Sequence, residues 1–250
     1  FGLQSEDFIV ASEMYGAKLA EISGATFVPY DVDRELYHSK ATEVRDHPIY
    51  NFDQILPEFQ KYLMKRVTIF GAESTGKTTL SNNLRRDDGL GAHWLFEYAR
   101  PYLEKCGTEI TTESMTAIWR GQKALQEHSE SFMDMPFIIQ DTDLFSTVGY
   151  WDFWDMNTPP ALVEDAIRLK SDLYLITQSN IPFEEDPIRY GGDKRESDDQ
   201  YWINLCERYE LNYKVLDSSD EFDRVNEAEF LMLNEFDSTF NLHYERIGNA

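Results

Sequence analysis

Cysteine is scarce in this chain, cations are outnumbered, and long apolar runs are missing. Only Cys106 and Cys206 occur, and neither stands at metal-ligand spacing. That usage points to reduced thiols in a cytosolic protein, each a core filler before a nucleophile. Lys and Arg total 23 against 46 Asp and Glu, a net charge of −23. Nucleic acid is thereby excluded as an expected partner, because backbone binding needs cations that release counterions. A phosphorylated small molecule is not excluded, since a few local cations hold one. No run is long enough to span a bilayer, and no signal-peptide pattern is found, so a cytoplasmic location and no membrane partner are expected. Internal repeats and low-complexity segments are absent as well. The chain opens on Phe1 rather than Met, inside what reads as a fold, and is expected to be a piece of a longer protein.

What is present describes an ordinary globule. At 250 residues, 42% hydrophobic and 28% charged, the chain can bury a real core in one or two domains. Its organising stretch is 65–80, KRVTIFGAESTGKTTL. Within it, Gly71, Ala72, Glu73, Ser74, Thr75, Gly76, Lys77 and Thr78 complete the pattern G-x-x-x-x-G-K-[ST], with Thr79 following. A β-rich run (67–70) precedes this loop and a helix-forming run (77–86) follows it. Strand, glycine-rich turn and helix make a phosphate cradle, with backbone N–H groups aimed at an anion. In such a loop Lys77 reaches the β/γ-phosphates of ATP and the Thr78 hydroxyl sits on Mg2+.

Strand candidates at 7–11 and 26–30 flank a helix at 15–23. A polar stretch spans 31–48, and Ile55, Leu56, Phe59 and Leu63 fall at helical spacing in 52–63. Beyond the phosphate loop, DDGLG at 87–91 reads as a turn. Strands are expected at 93–96, 137–140, 173–177 and 213–216, with helices at 111–131, 197–209 and 221–236. Alternation of strands and helices from residue 65 predicts an α/β fold with a doubly wound, mostly parallel sheet. Ligands then bind at the carboxyl ends of the strands.

Acidic residues fall at those ends. Asp141 closes the apolar run PFIIQ, as a Walker B carboxylate that holds Mg2+ does, though it equally suits a helix N-cap. Asp143 fits a cap or the chemistry. Glu97 stands where a kinase of small hydroxyl substrates needs a general base, with Tyr98, Arg100 and Tyr102 close by as substrate contacts; a solvated Glu–Arg pair is the plainer alternative. In 182–196, PFEEDPIRYGGDKRE, Arg189, Lys194 and Arg195 concentrate positive charge as a closing lid does. Tyr150, Trp151, Phe153 and Trp154 form a dense aromatic run, better read as core than as a stacking platform.

Together these motifs resemble the bifunctional ribosylnicotinamide kinase/nicotinamide-mononucleotide adenylyltransferase family (NadR type) of NAD salvage. GAESTGKTT is similar to that family's GxES-x-GKST loop, and WLFEYARPY to its W-E-Y-G-R-x-Y. DTDLFST (141–147) looks like D-T-D-F-x-T-T, and PFEEDPIR resembles P-W-x-x-D-G-x-R, aligning Phe183, Asp186 and Arg189. ASEMYG (11–16) is similar to the S-S-E-x-Y-G turn of the adenylyltransferase half. SKATEVRDHP (39–48) is similar to its I-S-x-T-x-I-R-x-N-P phosphate motif, matching Thr42 and Arg45, with Lys40 where the family has serine.

The resemblance implies a P-loop kinase at 64–250, preceded at 1–63 by the C-terminal remnant of a Rossmann-like nucleotidyltransferase domain plus a linker helix. It implies ATP-dependent, Mg2+-assisted phosphorylation of the 5′-hydroxyl of nicotinamide riboside. Glu97 is then the base with Asp143 as its rival, Asp141 is on Mg2+, and Lys77, Arg189 and Arg195 are on the phosphates. The family's paired-histidine transfer motif does not occur in this sequence, so no adenylyl transfer by this chain alone is expected. Two other readings stay open: a kinase of another nucleoside or small alcohol, and a non-catalytic ATP-sensing module.

Overall fold

A computed structural model describes residues 6–36, 38, 40–85, 91–132, 134–182 and 195–237, with backbone alone at 195–198. The chain divides into two compact units, Phe1–Asp46 and His47–Ala250. In the smaller unit, β1 (Phe8–Ala11) and β2 (Thr26–Pro29) pair in parallel through α1 (Tyr15–Ser23), with Phe8 opposite Thr26 and Ala11 opposite Pro29. A short α2 (Ala41–Asp46) ends this unit.

The larger unit, His47–Ala250, takes in the segment ahead of residue 64. Its first elements are a 3-10 turn (Phe52–Gln54) and α3 (Pro57–Leu63). Buried Phe52 accepts at its carbonyl from the Gln60 side chain, and Gln60 in turn accepts from the Asp134 N–H. The single helix expected over 52–63 is broken because Pro57 disfavours helical backbone before it, and Leu56 is extended with ψ 135°. Leu56 and Phe59, two of the residues at helical spacing, are exposed.

Then follow β3 (Lys65–Phe70), α4 (Lys77–Leu84), β4 (Ala92–Leu95), α5 (Ala99–Cys106), α6 (Thr112–His128), β5 (Phe137–Asp141), α7 (Leu144–Phe153), α8 (Pro160–Arg168), β6 (Leu173–Thr177), α9 (Arg195–Arg208), β7 (Tyr213–Leu216) and α10 (Glu221–Phe236). The five strands form one sheet in the order β4-β5-β3-β6-β7. Every pairing is parallel, and β3, which leads into the phosphate loop, lies at the centre.

Alternation along the strands sorts side chains to two faces. Phe70, Tyr174 and Ile176 join Leu144, Phe145, Val148, Trp151 and Trp202 in one core. Val67, Ile69 and Leu175 join Leu80, Leu84, Ala228 and Met232 in the other. Helices α6 to α9 therefore cover one face, and α4 with α10 the other. The long α6 starts where a capping box dictates: Thr111 Oγ1 accepts from the Ser114 N–H, and Ser114 Oγ from the Thr111 N–H. The turn expected at 87–91 is described only at Gly91, and the lid expected at 182–196 lies largely outside the described residues.

Candidate functional site

The phosphate loop links the end of β3 to the first turn of α4. Gly71 has φ 132°, and a Cβ there would lie 2.5 Å from the Thr177 carbonyl, so only glycine lets the loop pass β6 this closely. Gly76, at φ 81°, precedes Lys77, and the non-glycine Ser74 is also left-handed, with φ 55°. Thr75 is fully buried; its hydroxyl donates to the Ala72 carbonyl at 2.8 Å and meets the Thr177 hydroxyl at 2.7 Å. The Thr75 side chain therefore fastens the loop from within. Lys77, only 6% exposed, donates from Nζ to the carbonyls of Gly71 (3.0 Å) and Ala72 (2.5 Å). The ammonium is thus held over the loop that it serves. Thr78 is half-buried one residue further on, and Thr79 is exposed.

From α10, Arg224 reaches under this loop. Its guanidinium donates to the Thr75 carbonyl (2.7 Å), the Asn180 side chain (2.7 Å) and the Ser218 carbonyl (2.9 Å), at 4% exposure. A fixed positive charge therefore backs the anion cradle, and one side chain ties three loops together.

The carboxylates divide by burial and direction. Asp141 is 2% exposed and lies opposite Ile69 of β3 in the sheet register, directly beside the start of the phosphate loop. Asp143 instead caps α7. Its Oδ1 accepts from the N–H groups of Phe145 (2.9 Å) and Ser146 (3.2 Å), and its Oδ2 from the Tyr174 hydroxyl (2.7 Å). Burial pushes its pKa from 3.8 up to about 6 against the lowering effect of these bonds. With both oxygens engaged inside the core, Asp143 is a structural cap. The cap is one of the two places expected for it, the other being the chemistry.

Glu97 follows β4 and lines a cleft that is partly open to solvent. Glu73 of the phosphate loop lines the same cleft, as do Thr142, Ser146 and Thr147 after β5, Gln122 of α6, and Tyr150 and Trp154 of α7. One wall is apolar, from Ala99, Leu103, Ile110, Met115 and Ile118. The aromatic run therefore divides: Trp151 belongs to the core, whereas Tyr150 and Trp154 face the cleft.

Helical period redirects the expected substrate contacts of α5. Ala99 and Leu103, four apart, face the cleft. Tyr98 and Tyr102, the adjacent stripe, stack on each other with centroids 6.5 Å apart. Tyr98 also packs on Gly121, where a Cβ would fall 2.1 Å from its ring. Arg100 pairs with Glu104 at 3.8 Å. Phe183, Asp186 and Arg189 lie outside the described residues, and Arg195 is described by its backbone only. In the smaller unit, Thr42 and Arg45 contact each other (3.5 Å) and line a second cleft with Ser12, Glu13, Tyr30 and Arg34.

Sequence reasoning missed Gln122 and Arg224. Each left a signal: Gln122 and Gln126 stand one turn apart among apolar positions, and Arg224 is the one cation of an acidic helix.

A family model described as "AAA domain" matches residues 66–224. The Trifunctional NAD biosynthesis/regulator protein NadR of Escherichia coli (strain K12) is 23% identical over 234 residues, 92% of this chain and 54% of the relative. The chain thus spans about half the length of that curated protein. Two solved structures are also similar. The crystal structure of NadR protein in complex with NR is 24% identical, covers 94% of this chain and 70% of that one, and has a TM-score of 0.56. The structure in complex with NAD and AMP-PNP is 22% identical, covers 92% and 66%, and has a TM-score of 0.59. At these identities the likeness is one of fold. The larger unit has the α/β P-loop kinase-like fold with a five-stranded parallel sheet.

Proposed function

Because the chain belongs to the AAA_28 family of AAA domains, we propose that its phosphate loop binds ATP and that the larger unit is a small-molecule kinase. The acceptor in this reading is the 5′-hydroxyl of nicotinamide riboside, the product is the mononucleotide, and the setting is NAD salvage. The observation that carries the reading is the shared cleft: Glu97, the phosphate-loop Glu73 and the aromatic faces of Tyr150 and Trp154 line one space. Carboxylates and aromatic faces together suit a ring that carries positive charge. A similar NadR protein solved in complex with NR supports reading that ring as the nicotinamide of the riboside.

In the mechanism, Lys77 and the loop N–H groups hold the β/γ-phosphates. The Thr78 hydroxyl and the Asp141 carboxylate are hard oxygen donors, two ligands of the kind Mg2+ takes alongside substrate phosphates. Bound Mg2+ would neutralise charge on the transferred group. Glu97 accepts the proton of the attacking hydroxyl. Ser146 and Thr147 offer hydroxyls to the ribose from the first turn of α7. Arg189 and Arg195 would neutralise charge from the lid, with Phe183 and Asp186 on the substrate side and Tyr98, Arg100 and Tyr102 supporting from α5.

The smaller unit fits the tail of an adenylyltransferase half. It has a βαβ unit with parallel strands, and Thr42 and Arg45 of α2 line a cleft with Ala11 of β1 and with Tyr30, which follows β2. The domain border is then best drawn at 46/47.

The test is ATP consumption with and without nicotinamide riboside, beside a panel of other nucleosides and small alcohols. Riboside-dependent turnover with formation of the mononucleotide is expected. Turnover on another acceptor alone would reassign the substrate, and ATP binding without any turnover would make the unit a sensor.

A further inference from the structure

The two carboxylates assigned to chemistry come from different strands, Glu97 after β4 and Asp141 at the end of β5, and something must fix their separation. One buried side chain touches the backbone immediately after each. Gln122 Oε1 accepts from the Tyr98 N–H at 3.0 Å, and its Nε2 donates to the Thr142 carbonyl at 3.4 Å. Tyr98 follows Glu97, and Thr142 follows Asp141. The side chain is 2% exposed, so these bonds are not shared with bulk water.

Thr142 makes this bridge consequential. Its φ of 70° is left-handed backbone that a β-branched residue adopts at a cost, and surrounding structure must hold it there. Gln122 holds the Thr142 carbonyl. One turn along α6, Gln126 accepts from the Leu144 N–H at 3.0 Å and donates to the Leu169 carbonyl at 3.1 Å. The two glutamines thus grip the turn at 142–144 from both ends, but only Gln122 also reaches the segment that carries Glu97.

Resting on the kinase reading above, we infer that Gln122 is a positioning residue that holds the Glu97 base in register with Asp141. It acts through the Tyr98 and Thr142 backbone and takes no proton itself. A planar amide with one donor and one acceptor fits this task; an apolar side chain leaves a buried N–H and a buried carbonyl without partners. A displacement of about 1 Å at the base is enough to cost about 10²-fold in turnover.

The test uses the full chain with ATP and nicotinamide riboside. Gln122→Met, Glu97→Gln and the double variant form one cycle, and Gln126→Met is the comparison for a buried glutamine that does not reach Glu97. Thermal melting accompanies each variant, and hydrogen exchange at the Tyr98 amide gives a readout independent of turnover. Gln122→Met is expected to lower kcat about 10²-fold with little change in KM for ATP, and to speed Tyr98 amide exchange. Once Glu97 is already glutamine, adding Gln122→Met should lower kcat little further. Gln126→Met should lower the melting temperature while its effect multiplies with that of Glu97→Gln.

If Gln122→Met fails to fold, Gln122→Glu replaces it. That variant keeps the acceptor for Tyr98 and loses the donor to Thr142, so a reduced kcat with slow Tyr98 exchange is expected. Near-normal kcat in the folded Gln122 variant, or losses that multiply with Glu97→Gln, overturns the inference while Glu97→Gln itself remains impaired. If Lys77→Ala and Glu97→Gln both turn over normally, the kinase reading fails and the inference falls with it.

Discussion

Arg224 Nη1 lies 2.7 Å from the Thr75 carbonyl, a hydrogen bond that joins α10 to the phosphate loop across 149 residues. The cation is buried, and its other donors hold Asn180 and Ser218. Lysine at this position keeps the charge but cannot hold three acceptors in a fork. Arg224→Lys should therefore destabilise the chain by about 1–3 kcal/mol and raise KM for ATP. Urea unfolding and ATP titration check both effects. Unchanged KM for ATP in a folded Arg224→Lys protein would show that the loop holds its shape without the fork.

Asp143 gives a pH prediction. Its folded pKa of about 6 lies above 3.8, so the folded chain binds this proton more tightly than the unfolded one. Stability from this group is fully present below about pH 4 and is lost as pH rises through 6, on the order of 3 kcal/mol in all. Asparagine keeps an acceptor for the Phe145 and Ser146 N–H groups but does not ionise. Asp143→Asn should thus gain on wild type as pH rises from 4 to 6 while retaining turnover. Melting curves across that range, with kcat at neutral pH, test both parts; an inactive but folded Asp143→Asn would restore Asp143 as the base.

These two residues also show what the sequence exposes and what it hides. The phosphate loop was readable because Gly71, Gly76, Lys77 and Thr78 act within eight consecutive residues, where spacing and chemistry coincide. The parallel sheet was readable because its apolar strands are short and punctuated. Asp143 was ambiguous because an Asp after a strand suits a cap and a catalyst equally well; its bonds to Phe145, Ser146 and Tyr174 show the cap. Gln122 lies in the helix expected at 111–131 among Met115, Ile118, Trp119 and Leu125, apolar neighbours that hide a polar role. Arg224 stands in the helix expected at 221–236, and nothing nearby in sequence points to its acceptors Thr75, Asn180 and Ser218. The break before α3 follows from Pro57, which the spacing of Ile55, Leu56, Phe59 and Leu63 outweighed in the sequence reading.

Lys77 contributes to the resting loop as well as to the phosphate binding proposed for it. Its bonds to the Gly71 and Ala72 carbonyls disappear in Lys77→Ala, at a cost of about 1–3 kcal/mol if those carbonyls stay dry. Turnover should fall further still, because the charge on the β/γ-phosphates is gone. Lys77→Ala is expected to be folded, slightly less stable and nearly inactive at saturating ATP and riboside. Near-normal turnover would overturn the phosphate-loop assignment.

The last prediction separates Glu97 from Asp141. A 5′-hydroxyl is a poor nucleophile at neutral pH, and a positioned carboxylate contributes about 10²–10⁴-fold by accepting its proton. Glu97 lines the cleft proposed for the acceptor, whereas Asp141 sits beside the phosphate loop in register with Ile69. Glutamine at 97 keeps shape and hydrogen bonding but takes no proton, so Glu97→Gln should lower kcat by that factor with ATP affinity kept. If Asp141 is an oxygen ligand of Mg2+, as proposed, asparagine weakens it, so raising Mg2+ should recover part of the activity of Asp141→Asn and none of that of Glu97→Gln. Steady-state kinetics across a Mg2+ titration distinguishes them. Recovery of Glu97→Gln by Mg2+, or loss of its ATP affinity, would move Glu97 from the acceptor to the metal.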